Sequence, residues 1–198
     1  MNQRVGVFGG TFDPIHVGHL AAAVNTRDAL DLDVVLLVVA HVPWQKVGSR
    51  DITPSDVRLR MVEAAVANVG SLEASAIEIE RGGDSYTADT LAEVHRQYPG
   101  AEVFLVIGTD AVGGLETWSR PDEVRDLATL AVVERPGSVG QEPPAGWNSV
   151  RVPAPYVDLS STQLRAHLRA GRSLQFLVPD AARAIWETWW LERRELDV

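Results

Sequence analysis

Apolar positions along the chain fall into two alternating patterns, short continuous runs and longer stretches at helical spacing. Residues 4–8, Arg-Val-Gly-Val-Phe, form a short apolar run that stops at Gly9-Gly10, which predicts a strand ending in a sharp turn. Over residues 18–30, Leu20, Ala23, Val24 and Leu30 recur at roughly helical spacing. Residues 34–39 are continuously aliphatic, the pattern of a strand buried on both faces. Residues 54–69 read as a helix, with Thr53 as the expected N-cap, Pro54 at the first position and Asp56 at the cap-plus-three site. Residues 72–80 alternate and predict a strand. A helix is expected over 87–98, a buried strand over 103–107, a helix over 121–128 and a strand over 130–133. Residues 135–149 carry Pro136, Pro143 and Pro144 without periodicity and are expected to be an exposed connection. A short strand at 150–152 and two closing helices at 162–170 and 179–191 complete the pattern.

Strands alternating with helices imply an α/β fold, a mostly parallel sheet with helices on both faces and a small C-terminal helical part. One domain over residues 1–198 is expected, since the chain is long enough for one sizeable core and short for two. In such sheets ligands collect at the carboxyl ends of the strands.

Composition narrows the chemistry. Eighteen Lys+Arg against 27 Asp+Glu give a net charge of −9, which argues against a general nucleic-acid binder but not against a local phosphate site. There is no Cys, so disulfides, thiolate nucleophiles and thiolate metal ligands are excluded. The longest apolar stretch, residues 34–40, is too short to cross a bilayer, and no basic-then-apolar leader opens the sequence. A cytoplasmic protein with no membrane partner is expected. Lys46 is the only lysine, which marks a place where a compact ammonium suits better than a planar guanidinium.

Two segments concentrate candidate chemistry. Gly9-Gly10-Thr11-Phe12-Asp13-Pro14-Ile15-His16-Val17-Gly18-His19 joins the first strand to the first helix. Its glycines admit close backbone approach, Thr11 adds a hydroxyl, and His16 and His19 sit three apart at a helix start, near the positive end of its dipole. Such donors suit phosphate oxygens. A zinc-binding His pair is the alternative, weakened by the lack of Cys or a third nearby ligand; an incidental Gly-Pro turn is another. The second segment is Leu159-Ser160-Ser161-Thr162-Gln163-Leu164-Arg165. Ser160, Ser161 or Thr162 can cap the following helix, leaving its first amides for an anion that Arg165 also reaches. A plain cap with a solvated Arg is the competing reading.

Together, G-G-T-F-D-P-I-H-x-G-H at 9–19 and S-S-T-x-x-R at 160–165 resemble the nucleotidyltransferase superfamily with the H-x-G-H motif, and most of all its nicotinate-nucleotide adenylyltransferase family. Further matches follow in order: Pro43-Trp44-Gln45-Lys46, the run Gly82-Gly83-Asp84-Ser85-Tyr86-Thr87, then Gly108-Thr109-Asp110, Trp118 and Arg135-Pro136-Gly137. The resemblance covers roughly residues 4–190.

That resemblance implies a Rossmann-like, doubly wound fold and adenylyl transfer from ATP, with Mg2+, to nicotinate mononucleotide in NAD biosynthesis. It implies catalytic roles for His16, His19 and Arg165. ATP would be bound by Gly9, Gly10, Thr11, Phe12, Gly108, Asp110, Ser160, Ser161 and Thr162. Nicotinate mononucleotide would meet Lys46, Tyr86, Thr87, Trp118 and Arg135. No protein-held metal is implied, the Mg2+ being carried mainly by the ATP phosphates. Nicotinamide mononucleotide and phosphopantetheine are alternative acceptors, although phosphopantetheine enzymes carry Ser-Phe-Asp-Pro-x-Thr where this chain has Thr-Phe-Asp-Pro-Ile-His. A non-catalytic nucleotide-binding regulator is a further alternative. The sequence has neither G-x-x-x-x-G-K-[ST] nor a G-x-G-x-x-G after the first strand, which disfavours a kinase and a nicotinamide dehydrogenase. Trp186, Trp189 and Trp190 suit either a homo-oligomer interface or a core-facing helix.

Overall fold

A computed structural model describes residues 2–42, 52–134, 142–155 and 157–196. Six parallel strands, β1 (Arg4–Gly10), β2 (Val34–Val39), β3 (Leu72–Ser75), β4 (Glu102–Gly108), β5 (Thr129–Glu134) and β6 (Ser149–Pro153), form one sheet in the order β3-β2-β1-β4-β5-β6. This is a doubly wound, Rossmann-like arrangement, with its reversal of strand order between β1 and β4.

Alternation across the pleat sorts the core into two layers. Val35, Leu37, Val39, Phe104, Val106, Ala131 and Val133 face one layer. It is completed by α1 (Val17–Ala29), α2 (Ser55–Val66), α7 (Ser161–Arg169) and α8 (Asp180–Leu196). Val5, Val7, Leu36, Val38, Leu105, Ile107 and Leu130 face the other. There they meet α3 (Ile77–Arg81), α4 (Thr87–Gln97), the single-turn α5 (Thr109–Val112) and α6 (Pro121–Leu127). Each fully buried Val or Leu contributes on the order of 1.5–3 kcal/mol of transfer free energy, which explains the unbroken aliphatic runs of β2 and β4. Trp186 is 1% exposed in the first layer, with Trp189 packed against that layer, so the core-facing reading holds for Trp186. Among the described residues no helix is long and apolar enough to cross a membrane.

Two sequence expectations are corrected. The alternation over 72–80 does not make a strand throughout. β3 pairs with β2 only over Leu72–Ser75, opposite Val35–Val38, and among the described residues it is the edge of the sheet. The chain then turns into α3, with the Glu80 N–H donating to the Ala76 carbonyl at 2.8 Å, and Ile77 enters the second layer. Thr53 is not the N-cap of α2: the cap is Pro54 and the helix begins at Ser55. Thr53 is instead buried, and its carbonyl accepts from Arg58 Nε at 2.7 Å.

Candidate active site

The site originates in how β1 and β4 part. Their pairing ends at Val7 opposite Leu105. Beyond that point Phe8, Gly9 and Gly10 pair only with β2, and Val106, Ile107 and Gly108 only with β5. The strand ends diverge into a crevice that holds two cavities of about 780 and 260 Å³, which share Gly9, Gly10, Thr11, Val106, Ile107 and Trp118 as lining.

The larger cavity brings both sequence motifs together: His16, His19, Ser160, Ser161, Thr162 and Arg165 all line it. His16, buried, is the N-cap of α1, and its backbone N–H donates to His19 Nδ1 at 3.2 Å. That bond makes Nδ1 an acceptor, so in the neutral ring the proton sits on Nε2 of His19 as a donor. The two rings stack at 3.7 Å between centroids, and Phe12 meets His19 edge-on at 5.1 Å. A methyl on Gly18 would lie 3.1 Å from Cε1 and Nδ1 of His16, so the glycine of H-x-G-H gives the His16 ring its room.

The two loop glycines have different uses. A Cβ on Gly10 would strike the Phe12 ring at 2.8–3.0 Å, whereas one on Gly9 would meet nothing within 4 Å. Gly10 thus makes space for Phe12, and Gly9 leaves the cavity open to a ligand. Phe12 itself is buried at a positive φ of 46°, and its ring forms a wall beside His19. The peptide bond Asp13-Pro14 is cis.

Across the cleft, Ser160 and Gln163 cap α7 reciprocally: Ser160 Oγ accepts from the Gln163 N–H at 3.2 Å, and Gln163 Oε1 accepts from the Ser160 N–H at 2.7 Å. Ser160 is therefore the cap. Ser161 Oγ donates to the Pro14 carbonyl at 2.9 Å, and Arg165 Nη1 donates to the Asp13 carbonyl at 2.8 Å while Nη2 reaches Thr162 Oγ1 at 2.9 Å. The competing picture of a solvated Arg165 does not hold. Asp110, exposed at the mouth of the same cavity, folds its carboxylate over Gly108 at the end of β4.

The smaller cavity is walled by Tyr86, Thr87 and Trp118. Tyr86 donates its phenol to Asp84 Oδ2 at 3.1 Å, and the neighbouring carboxylate holds the phenol pKa above its ordinary value, so it stays a neutral donor. Trp118 follows a 3-10 turn at Leu115–Thr117 that is pinned by Trp147 Nε1 donating to Glu116 Oε1 at 3.1 Å. Lys46 and Arg135, expected at the acceptor, lie outside the described residues.

Contributors at three places were not expected from sequence. Arg120, at a left-handed φ of 55°, pairs with Asp89 at 2.7 Å and so ties the Trp118 wall to the first turn of α4. Glu78 and Thr90 line the smaller cavity; Thr90 Oγ1 donates to Glu78 Oε1 at 2.5 Å beneath the Tyr86 turn. Arg58 is buried with its fork directed at three loop carbonyls. In sequence, an Arg on a helix two residues before Arg60 carries no signal of burial. Among the described residues no group of three or more His, Cys, Asp and Glu is placed to hold a metal ion. The donor set of the larger cavity, imidazoles, hydroxyls and a guanidinium, suits anionic oxygens.

Comparison with known proteins bears on the family and the fold. A model of the cytidylyltransferase-like family matches residues 7–167. A Corynebacterium kroppenstedtii protein named "probable nicotinate-nucleotide adenylyltransferase" is 43% identical over 180 residues, covering 89% of this chain and 85% of the relative. A Thermus thermophilus protein of the same name is 41% identical over 191 residues, covering 96% of this chain and 100% of the relative. Among solved structures, Plasmodium falciparum nicotinic acid mononucleotide adenylyltransferase complexed with NaAD is similar in fold, with a TM-score of 0.77 at 13% identity, over 95% of this chain and 96% of that one.

Proposed function

The chain belongs to the cytidylyltransferase-like family, among its nicotinate-nucleotide adenylyltransferases, and on that footing we propose how its site works. The reaction is transfer of AMP from ATP to nicotinate mononucleotide, giving deamido-NAD and pyrophosphate. The observation that carries it is the pair of cavities with a common wall: one ringed by phosphate-type donors, the other by Tyr86, Thr87 and Trp118.

The nucleophile needs little help. A nucleotide 5′-phosphate has a second pKa of about 6, so at neutral pH it is mostly dianionic and requires no general base. One of its oxygens attacks the α-phosphorus of ATP, the bond from that phosphorus to the β-bridging oxygen breaks, and pyrophosphate leaves with the electron pair. No covalent intermediate forms on the chain. The protein's task is to hold two anions in line and to offset charge on the transferred group. His16 and His19 serve the α-phosphate, with the Nε2 proton of His19 as a donor. Ser161, Thr162, the first amides of α7 and Arg165 grip the β- and γ-phosphates. Gly9, Gly10, Thr11 and the Phe12 backbone line the phosphate path, Gly108 and Asp110 receive the ribose, and Ser160 acts by capping α7. On the acceptor side, Thr87 offers backbone donors, Tyr86 a phenol and Trp118 a ring face, with Lys46 and Arg135 assigned to the acceptor phosphate and loop.

ATP enters as its divalent-metal complex, for which Mg2+ is the ion proposed. The cation would be held mainly by phosphate oxygens of ATP, where it would offset their charge. The unit is a single domain over residues 1–198, acting in the cytoplasm on small molecules rather than on nucleic acid or a membrane.

The test is product identification. Incubation with Mg·ATP and nicotinate mononucleotide yields deamido-NAD and pyrophosphate in equal amounts by chromatography and mass spectrometry. ATP binding without a dinucleotide product would turn the reading to a nucleotide-binding regulator.

A further inference from the structure

Arg58 stands on the inner face of α2 beside Val57, Met61 and Val62, and is 1% exposed. Burying a guanidinium is costly unless its donors are used. Here the fork is spent on backbone carbonyls from three separate segments. Nε donates to Thr53 at 2.7 Å, Nη1 to Thr11 at 2.8 Å and Nη2 to His41 at 3.2 Å. Thr11 belongs to the phosphate loop after β1 and lines both cavities. His41 follows β2, and its own N–H donates to Ser85 Oγ at 2.9 Å, while the Ser85 N–H donates to the Val42 carbonyl at 3.2 Å. Ser85 is next to Tyr86 and lines the smaller cavity. A continuous chain of hydrogen bonds thus runs from Thr11 through Arg58 and His41 to Ser85.

We propose that Arg58 is a positioning residue for the transfer step, setting the spacing between the loop that holds the transferred phosphate and the loop that holds the acceptor. This rests on the adenylyl-transfer reading above. In an in-line displacement between two bound anions, a small error in spacing is felt in turnover rather than in the binding of either substrate alone. The bond to the Thr11 carbonyl also fixes the plane of the Thr11–Phe12 peptide, whose N–H must then point away from Arg58. Only a planar fork reaches three carbonyls at once; a lysine ammonium is a point donor and spans fewer of them.

Arg58→Lys and Arg58→Gln test the proposal, with kcat, both KM values, the ATP dissociation constant without acceptor, and the folded fraction measured together. The expected result is a kcat per folded molecule lower by about tenfold or more in Arg58→Lys. The ATP dissociation constant alone stays within about threefold, since Ser161, Thr162 and Arg165 are untouched. A lowered melting temperature with unchanged kcat per folded molecule means that Arg58 only supports the fold, and overturns the proposal. If neither variant folds, Ser85→Ala reads the far end of the same chain. It is expected to lower kcat with ATP affinity kept, and wild-type kcat in that variant overturns the proposal as well. Wild-type protein is the reference: its failure to turn over would remove the adenylyl-transfer reading and this inference with it, whereas turnover unaffected in Arg58→Lys removes this inference alone.

Discussion

The guanidinium of Arg165 and the carbonyl of Asp13, 152 residues apart in sequence, meet at 2.8 Å. This bond and that of Ser161 to Pro14 fasten the start of α7 to the loop between β1 and α1, so two motifs at opposite ends of the chain line one cavity. Lysine at 165 keeps the charge but cannot hold both Asp13 and Thr162 while facing an anion. Arg165→Lys is expected to lower kcat/KM for ATP by about 10²-fold with little change in thermal stability. Steady-state kinetics and a melting curve check both halves.

His19 has its Nδ1 committed to the His16 backbone, which directs its Nε2 proton outward as a donor. His19→Ala is expected to reduce kcat by roughly 10²–10³, as for removal of one transition-state donor. Turnover at the wild-type rate in a folded His19→Ala protein would remove it from the mechanism.

Gly18 touches no substrate in this account; its importance is the space it leaves. Because an added methyl would sit 3.1 Å from two atoms of the His16 ring, Gly18→Ala must shift that ring by a few tenths of an ångström. Turnover about tenfold lower is expected, with the fold retained. A crystal structure of the variant with His16 unmoved and activity unchanged would contradict this.

The pair Asp89–Arg120, with each side chain a little more than a third exposed, links the Trp118 loop to α4. Partly exposed pairs contribute about 0.2–1 kcal/mol, so the effect is modest. Asp89→Asn is expected to raise KM for nicotinate mononucleotide about twofold to fivefold and leave KM for ATP unchanged. The difference from wild type should shrink as salt is raised.

Ser160 separates capping from catalysis. Ser160→Ala removes one of the reciprocal bonds with Gln163 and is expected to cost about 1 kcal/mol of stability. Because Ser161, Thr162 and Arg165 stay in place, kcat is expected to fall less than about threefold. Calorimetry and initial rates distinguish this from a direct phosphate contact.

Much of this was readable from the residues because two periodicities carry it. The aliphatic run of β2 was legible to its ends at Val34 and Val39, and the turn at Gly9-Gly10 located the site at the strand termini. Local pattern failed where tertiary pairing decides. Ile77 and Ile79 alternate like a strand, yet they belong to α3, from which Ile77 enters the second core layer. Thr53 looks like a cap, yet its carbonyl is held by Arg58. That both motifs would meet at the strand ends was legible, but not that Ser160 would cap while Ser161 reaches Pro14. Arg58 and the Asp89–Arg120 link were hidden because each joins loops far apart in sequence.

The proposed reaction is transfer of AMP from ATP onto the nicotinate form of the mononucleotide. The most direct measurement is the initial rate of pyrophosphate release from Mg·ATP with nicotinate mononucleotide, nicotinamide mononucleotide and phosphopantetheine offered separately. Release with the nicotinate form is expected to be at least about tenfold faster than with either other acceptor, a preference of about 1.4 kcal/mol. Equal or faster release with another acceptor, or release with none, would contradict it.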